Sequence, residues 1–113
     1  MEITFNDNKL AKIINDERKL KRTYGPENAR LITRRLDQIK AASTFAEVIQ
    51  MRIGRCHSLE GNLDGLYALD LDHPDRLIIK PVIARDADKS RVDFSVVKEV
   101  IIMEVRDYHG KRN

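Results

Sequence analysis

Two histidines, a tyrosine and an aspartate are residues of this sequence whose types suit acid–base chemistry. His57 opens a glycine-containing turn that runs to Gly65, and Asp107, Tyr108 and His109 follow a long hydrophobic segment. Metal-independent RNA cleavage needs a base for the 2′-hydroxyl proton, an acid for the departing 5′-oxygen and a cation beside the phosphorus. Histidine suits both proton transfers because its unperturbed pKa, about 6.5, lies near neutral pH.

A phosphate contact is predicted at Arg76, at the start of a strand, with Lys80 four residues further on. Residues four apart on a strand project from the same side. Arginine is the better phosphate ligand of the two, because its planar guanidinium makes bidentate contacts.

Other interpretations of the same residues stay open. A single histidine on a strand is more often structural than catalytic, Tyr108 could be an ordinary strand-end aromatic, and Asp107 could be a surface charge. Cys56, His57, Asp107 and His109 do not have zinc-ligand spacing, so we expect no metal site, and we interpret Cys56 as a small buried residue.

The first half of the chain predicts helices. Glu2–Asn6 alternates as a short strand. Apolar residues at helical spacing predict a helix over about Lys9–Lys21 and, after Pro26, a second one to about Ala42. Thr44 and Glu47 have the spacing of a capping box that opens a short third helix.

The second half predicts strands, and the whole chain an α+β fold. The three predicted strands are Tyr67–Asp72, with one half-buried face, Arg76–Ala84 and Val96–Asp107, the last a central strand. Pro81 indicates a strand end, an edge or a bulge, and 86–91 reads as a loop. We expect one domain over residues 1–113.

Composition and charge narrow the class of protein. The chain is 35% charged, and Cys56 is its one cysteine, which excludes an intrachain disulfide and suits a reducing compartment. No apolar run has the length of a membrane helix, and residues 1–9 lack the apolar centre of a secretory signal, so we expect a cytoplasmic protein with no membrane partner. Residues 9–40 hold ten Lys or Arg against four acids. Such a segment attracts phosphates, or it is simply a solvated helix face.

Three features in order resemble the HigB toxins of the RelE/ParE superfamily. The segment His57–Gly65 resembles their H-x-L-x-G-x-L-x-G motif, the spacing from His57 to Arg76 fits without a gap, and Asp107-Tyr108-His109 resembles their terminal D-Y-H. With the basic helical half, the resemblance covers essentially the whole chain.

The resemblance implies a compact RelE/ParE-like domain with N-terminal helices on a small, mainly antiparallel sheet. It implies a toxin of a type II toxin-antitoxin system, a ribosome-dependent endoribonuclease that cuts mRNA in the A site without metal or cofactor. The implied partners are the ribosome, mRNA and a HigA-like helix-turn-helix antitoxin, with operator DNA reached only through the antitoxin complex. The toxin alone is expected to be a monomer.

The resemblance also assigns roles. His57, Asp107, Tyr108 and His109 fall on catalytic positions, and Arg76 falls on a phosphate or ribosomal RNA contact. The two histidines transfer protons in an order left open. Asp107 transfers a proton or sets a histidine tautomer, and Tyr108 stacks on a base or orients the 2′-hydroxyl.

The chain departs from the family pattern in two places. Glu60 stands where many relatives have lysine, and the stretch 86–96 is longer than the usual hairpin.

Two other functions remain as hypotheses. One is a ParE-like toxin that inhibits DNA gyrase by binding, although such an inhibitor has no need of the two histidines and the aspartate. The other is a catalytically silent module that binds RNA or a partner protein.

Overall fold

The fold is α+β, as the sequence predicts. The structure, a computed structural model, describes residues 1–106 except for the side chain of Lys89. Within those residues the elements are β1 (Glu2–Phe5), α1 (Asn8–Ile14), α2 (Glu17–Tyr24), α3 (Pro26–Ala41), α4 (Phe45–Gln50), β2 (His57–Ser58), β3 (Tyr67–Asp70), β4 (Arg76–Pro81) and β5 (Glu99–Arg106). None of the helices described in residues 1–106 is both long and apolar enough to span a membrane.

The first predicted helix is in fact two helices. The apolar spacing continues from Lys9 to Lys21, but the chain breaks at Asn15-Asp16. The Asp16 carboxylate accepts hydrogen bonds from the backbone N–H groups of Arg18 and Lys19 at 3.0 and 3.2 Å, so it caps a new helix. The break before α3 is as predicted: Gly25 has φ +88°, and Pro26 takes the first helical position.

The sheet is mainly antiparallel, as predicted. Its strand order is β1-β5-β4-β3-β2, and only β1 and β5 pair in parallel. β5 lies between two strands, which agrees with its predicted central place. β2 was not predicted, because two residues carry no periodic signal.

The helices cover one face of this sheet. Fully buried side chains of the strands project from that inner face, among them Leu69, Leu77, Ile79, Val100 and Ile102. They form one hydrophobic cluster with the buried residues of α3 and α4. The opposite side, which we call the outer face, carries the charged residues. The interpretation of β3 as half-buried was wrong at Ala68, which is fully buried although it belongs to the outer face.

The strand ends differ from prediction by a few residues. β4 ends at Pro81 rather than Ala84, which makes the proline a strand end, and β5 begins at Glu99 rather than Val96. α4 begins where the capping box predicts, but the Thr44 side chain makes no cap hydrogen bond. Instead Glu47 accepts from the backbone N–H of Ser43 at 3.0 Å.

The long connection between β4 and β5, residues 82–98, is packed onto the core at its second half. The Phe94 ring makes edge-to-face contacts with Phe45 and Tyr67, at centroid distances of 5.2 and 5.9 Å. The Phe45 N–H also donates to the Val97 carbonyl at 2.9 Å. These contacts hold the connection beside the end of the sheet.

Candidate functional site

Cross-strand pairing brings His57 into a row across the outer face. His57 is opposite Ala68, Ala68 is opposite Ile78, and Ile78 is opposite Glu104. Directly paired residues of antiparallel strands project from the same face. The row therefore begins at the histidine and ends at a carboxylate on β5.

A second row lies on the same face, two residues away along each strand, and three arginines lie in it or reach it. Asp70 pairs with Arg76, and Arg76 pairs with Arg106. Arg55, just before β2, reaches the same row through a 2.6 Å contact between its Nε and Asp70 Oδ2. We call Arg55, Arg76 and Arg106 the arginine row. Of these three arginines, the sequence predicts only Arg76 as a phosphate ligand, because the positions of Arg55 and Arg106 depend on register.

A β-bulge aims the end of β5 at the outer face. The pairing skips Met103, since Ile78 is opposite Glu104 while Ile79 is opposite Ile102. Simple alternation from Ile102 would place Glu104 and Arg106 on the inner face. The bulge reverses that, which is a common use of bulges beside functional sites.

Arg76 is the member of the arginine row that has no carboxylate partner among residues 1–106. Arg55 pairs with Asp70, and Arg106 pairs with Glu104 at 2.9 Å. Arg76 is half-buried and forms no ion pair with any residue of the described part of the chain. A half-buried guanidinium between two further arginines suits a phosphate oxygen.

His57 is held in one tautomer. Its Nδ1 lies 3.0 Å from the Arg55 carbonyl oxygen. A carbonyl oxygen only accepts hydrogen bonds, so Nδ1–H is the donor and the neutral ring keeps its lone pair on Nε2. The arrangement makes Nε2 the nitrogen that can take a proton.

The backbone that presents this carbonyl is left-handed. Arg52, Gly54 and Arg55 have φ of +54°, +57° and +53°. Arg35 of α3 passes against Gly54 and donates from Nε to the Asp70 carbonyl at 3.0 Å. Burial, followed by repulsion from Arg34, lowers the pKa of Arg35. Helix α3 therefore supports both the Arg55 turn and the strand that pairs with Arg76.

We expect Gly54→Ala to destabilise the protein by ~1–3 kcal/mol, through positive φ and overpacking together. A Cβ at Gly54 would lie 2.7 Å from Arg35 Nε and 3.0 Å from Leu69 Cβ. The matched control is Gly61→Ala, since Gly61 has φ +69° but open space around it. Urea unfolding measures both variants, and equal midpoints would contradict the close approach.

The turn between β3 and β4 is fixed to α3 by buried polar groups. Asn28 Nδ2 donates to Asp75 Oδ2 at 2.7 Å, and Asn28 Oδ1 accepts from the Asp72 N–H at 2.8 Å. Asn28 and Asp75 are both buried. These bonds hold the turn that sets Asp70 opposite Arg76.

Burial keeps the Cys56 thiol protonated near neutral pH. It is half-buried against the core, and burial raises its pKa to about 12. We expect its alkylation at pH 8.5 to be at least ~100-fold slower in the native protein than in urea, because the thiolate is the nucleophile.

The same shift predicts a pH dependence of stability. The pKa of the Cys56 thiol is higher in the folded state, so the unfolded chain releases the thiol proton at lower pH. The free energy of unfolding therefore falls as the pH rises from about 9 to about 12. Cys56→Ala should flatten that decline in unfolding free energy. Parallel curves of unfolding free energy against pH for the wild type and Cys56→Ala would contradict this prediction.

A cleft lies at the end of the sheet beside Lys80, where Lys80 and Ile101 line it from the outer face and Tyr67 and Pro81 from the inner face. Its volume is about 640 Å³, and one wall is formed by residues of the connection after β4: Val82, Ile83, Ala84, Arg85, Val92 and Phe94. Lys80 and Arg76 share the outer face, as predicted, but they are ~13 Å apart along β4. At that separation along the strand, the two cations suit neighbouring phosphates rather than one.

The structure thus brings His57, Arg76 and Lys80 to one face. Three predicted catalytic residues, Asp107, Tyr108 and His109, lie outside the described residues. Among residues 1–106, no group of three or more His, Cys, Asp or Glu side chains is placed to hold a metal ion.

No protein-family model matches the chain, and no curated protein matches it significantly.

Proposed function

We propose that the protein is a toxin of a type II toxin-antitoxin system, a ribosome-dependent endoribonuclease that cleaves mRNA in the A site. The observation that carries the proposal is the placement of His57 and the arginine row on one sheet face. β5 leads from that face directly into Asp107-Tyr108-His109 in the chain. The resemblance to HigB toxins supplies the substrate.

The chemistry assigns His57 to proton transfer. Nε2 of the neutral ring takes the 2′-hydroxyl proton, and the 2′-oxygen attacks the adjacent phosphorus. The bond from phosphorus to the 5′-oxygen breaks, and an acid protonates that oxygen, a role open to His109. The products are a 2′,3′-cyclic phosphate and a 5′-hydroxyl. The reverse assignment of the two histidines gives the same products.

The arginine row supplies the positive charge. Negative charge develops on the phosphate oxygens as the 2′-oxygen attacks, and preformed cations stabilise it most where water is excluded. Arg76 is best placed because no carboxylate neutralises it within residues 1–106. Asp70 and Glu104 orient the flanking arginines and keep the face from being uniformly basic.

Primer extension on an mRNA held by programmed ribosomes tests the proposal. We expect cleavage at the A-site codon that requires both the ribosome and the protein, and none with His109→Ala. Intact mRNA beside folded, ribosome-bound protein would contradict the nuclease function. Gyrase inhibition in a supercoiling assay, or ribosome binding alone, would then identify one of the other two functions.

A further inference from the structure

Asp70 connects the turn before His57 to strand β3. We propose that Asp70 is a positioning residue, which acts through Arg55 to keep the His57 ring in the Nδ1–H tautomer. The inference rests on the proposed nuclease function, because it adds to that function a residue that determines which ring nitrogen can take the 2′-hydroxyl proton.

Strand β2 by itself fixes His57 weakly. It is an edge strand of two residues, and its pairing with β3 consists of two residue pairs. Just before it the chain leaves the extended conformation, since Arg55 has φ +53°. A left-handed conformation is unfavourable for a residue with a side chain unless the surrounding structure holds it. The direction of the Arg55 carbonyl therefore depends on contacts outside β2.

The Asp70 carboxylate makes such a contact. Continuing the register of β2 and β3 by two residues places Arg55 opposite Asp70, and Arg55 Nε lies 2.6 Å from Asp70 Oδ2. A hydrogen bond between two charged groups at this distance is among the stronger kinds. It fixes the Arg55 side chain to β3, while the carbonyl oxygen of the same residue lies 3.0 Å from His57 Nδ1.

Helix α3 holds Asp70 in its turn. Arg35 Nε donates to the Asp70 carbonyl oxygen at 3.0 Å, and Arg35 Nη1 donates to Gln38 Oε1 at 3.2 Å. The same Arg35 side chain lies against Gly54, the residue before Arg55. Asp70 therefore has a fixed backbone from which its carboxylate can position the Arg55 turn.

The tautomer decides which nitrogen of His57 can act as a base. With the Arg55 carbonyl as acceptor, Nδ1 keeps the proton and Nε2 keeps its lone pair. Without the contact to Asp70, the Arg55 carbonyl is free to turn away, and the neutral ring distributes between its two tautomers. Only the fraction of rings in the Nδ1–H form would then accept a proton at Nε2.

Nitrogen-15 NMR of the histidine rings in the full chain tests the inference without ribosomes. For the neutral His57 ring we expect a protonated Nδ1 in the wild type and a mixture of the two tautomers in Asp70→Ala. The single-turnover rate of A-site cleavage should fall by about fivefold in that variant, the effect of one partly exposed ion pair. The urea midpoint should stay close to that of the wild type, because such a pair contributes little to global stability.

The matched control is Asp72→Ala. Asp72 is an exposed aspartate two residues beyond Asp70, and its side chain forms no ion pair within residues 1–106. This variant should keep both the wild-type tautomer of His57 and the wild-type cleavage rate.

A double variant shows whether Asp70 acts through Arg55. If it does, Asp70→Ala combined with Arg55→Ala should have the same mixture of His57 tautomers as Arg55→Ala alone. Additive effects of the two substitutions on the tautomer would overturn the inference.

Three other results would overturn it as well: an Nε2–H tautomer in the wild type, an unchanged tautomer in Asp70→Ala, or an unchanged cleavage rate despite a changed tautomer. A slower rate with an unchanged tautomer would assign the effect of Asp70 to Arg76, its cross-strand neighbour.

Failure of this inference is distinct from failure of the proposed function. Cleaved mRNA with a His57 tautomer that is independent of Asp70 would remove this inference only. Intact mRNA with a tautomer that depends on Asp70 would remove the nuclease function and retain the control of the His57 ring by Asp70.

Discussion

His57→Gln should lower the rate of A-site mRNA cleavage by ~100- to 10,000-fold, the usual contribution of a general acid or base. Glutamine keeps a neutral polar side chain of similar length whose amide can still donate a hydrogen bond. It cannot take or give a proton near neutral pH. The loss would therefore report proton transfer rather than a lost contact.

The matched control for this variant is His73→Gln. His73 is exposed in the turn between β3 and β4, and we assign it no role. The rate is measured in single turnovers on saturated ribosomes, with circular dichroism to verify folding. A rate for His57→Gln within about twofold of the wild type would remove His57 from the site.

Arg76→Ala should lower the same rate by ~100- to 1,000-fold, because a preformed group that stabilises transition-state charge contributes about that much. Arg76→Lys should recover part of the loss, since lysine keeps the charge but not the bidentate geometry. The control is Arg18→Ala, on an exposed position of α2, a helix that packs through Leu20 on the core side of the sheet.

The effect of Arg76 should appear in the cleavage step and not mainly in ribosome binding. Binding of the variant to ribosomes, measured by sedimentation across a salt series, separates the two. Cleavage that is unchanged at saturation, with weaker binding, would make Arg76 an ordinary backbone contact.

The fold could largely be predicted from periodicity and turn residues. Alternation predicted β1 and β3, apolar runs rich in Ile and Val predicted β4 and β5, and Gly25-Pro26 marked the start of α3. Where the prediction failed, a local side chain decided the outcome. Asp16 begins a new helix although the apolar spacing runs on, because its carboxylate satisfies two backbone N–H groups.

The site was only partly predictable. Arg76 and Lys80 were predicted from residue type and strand position and His57 from its place before a glycine-containing turn, and their common face follows from the observed register. The contact between Arg55 and Asp70 could not be predicted. It needs a left-handed backbone and a long-range strand pairing, and no local sequence pattern indicates either.

Arg106 illustrates the same limit. Alternation along β5 assigns it to the core side, and only the bulge at Met103 turns it to the outer face. A bulge is one extra residue in one strand, and here the run 100–103 is apolar at every position, so the point at which the alternation shifts is hidden. The observed strand register, and not the amino-acid composition, therefore shows that Arg106 belongs to the arginine row.

Cleavage of a ribosome-bound mRNA with a single 2′-deoxynucleotide on the 5′ side of the scissile bond tests the central claim most directly. The account predicts that the all-ribose mRNA is cut to a 2′,3′-cyclic phosphate and that the deoxy mRNA stays intact while the protein remains on the ribosome. Equal cleavage of both mRNAs, or no cleavage of either, would contradict a 2′-hydroxyl mechanism on the outer face.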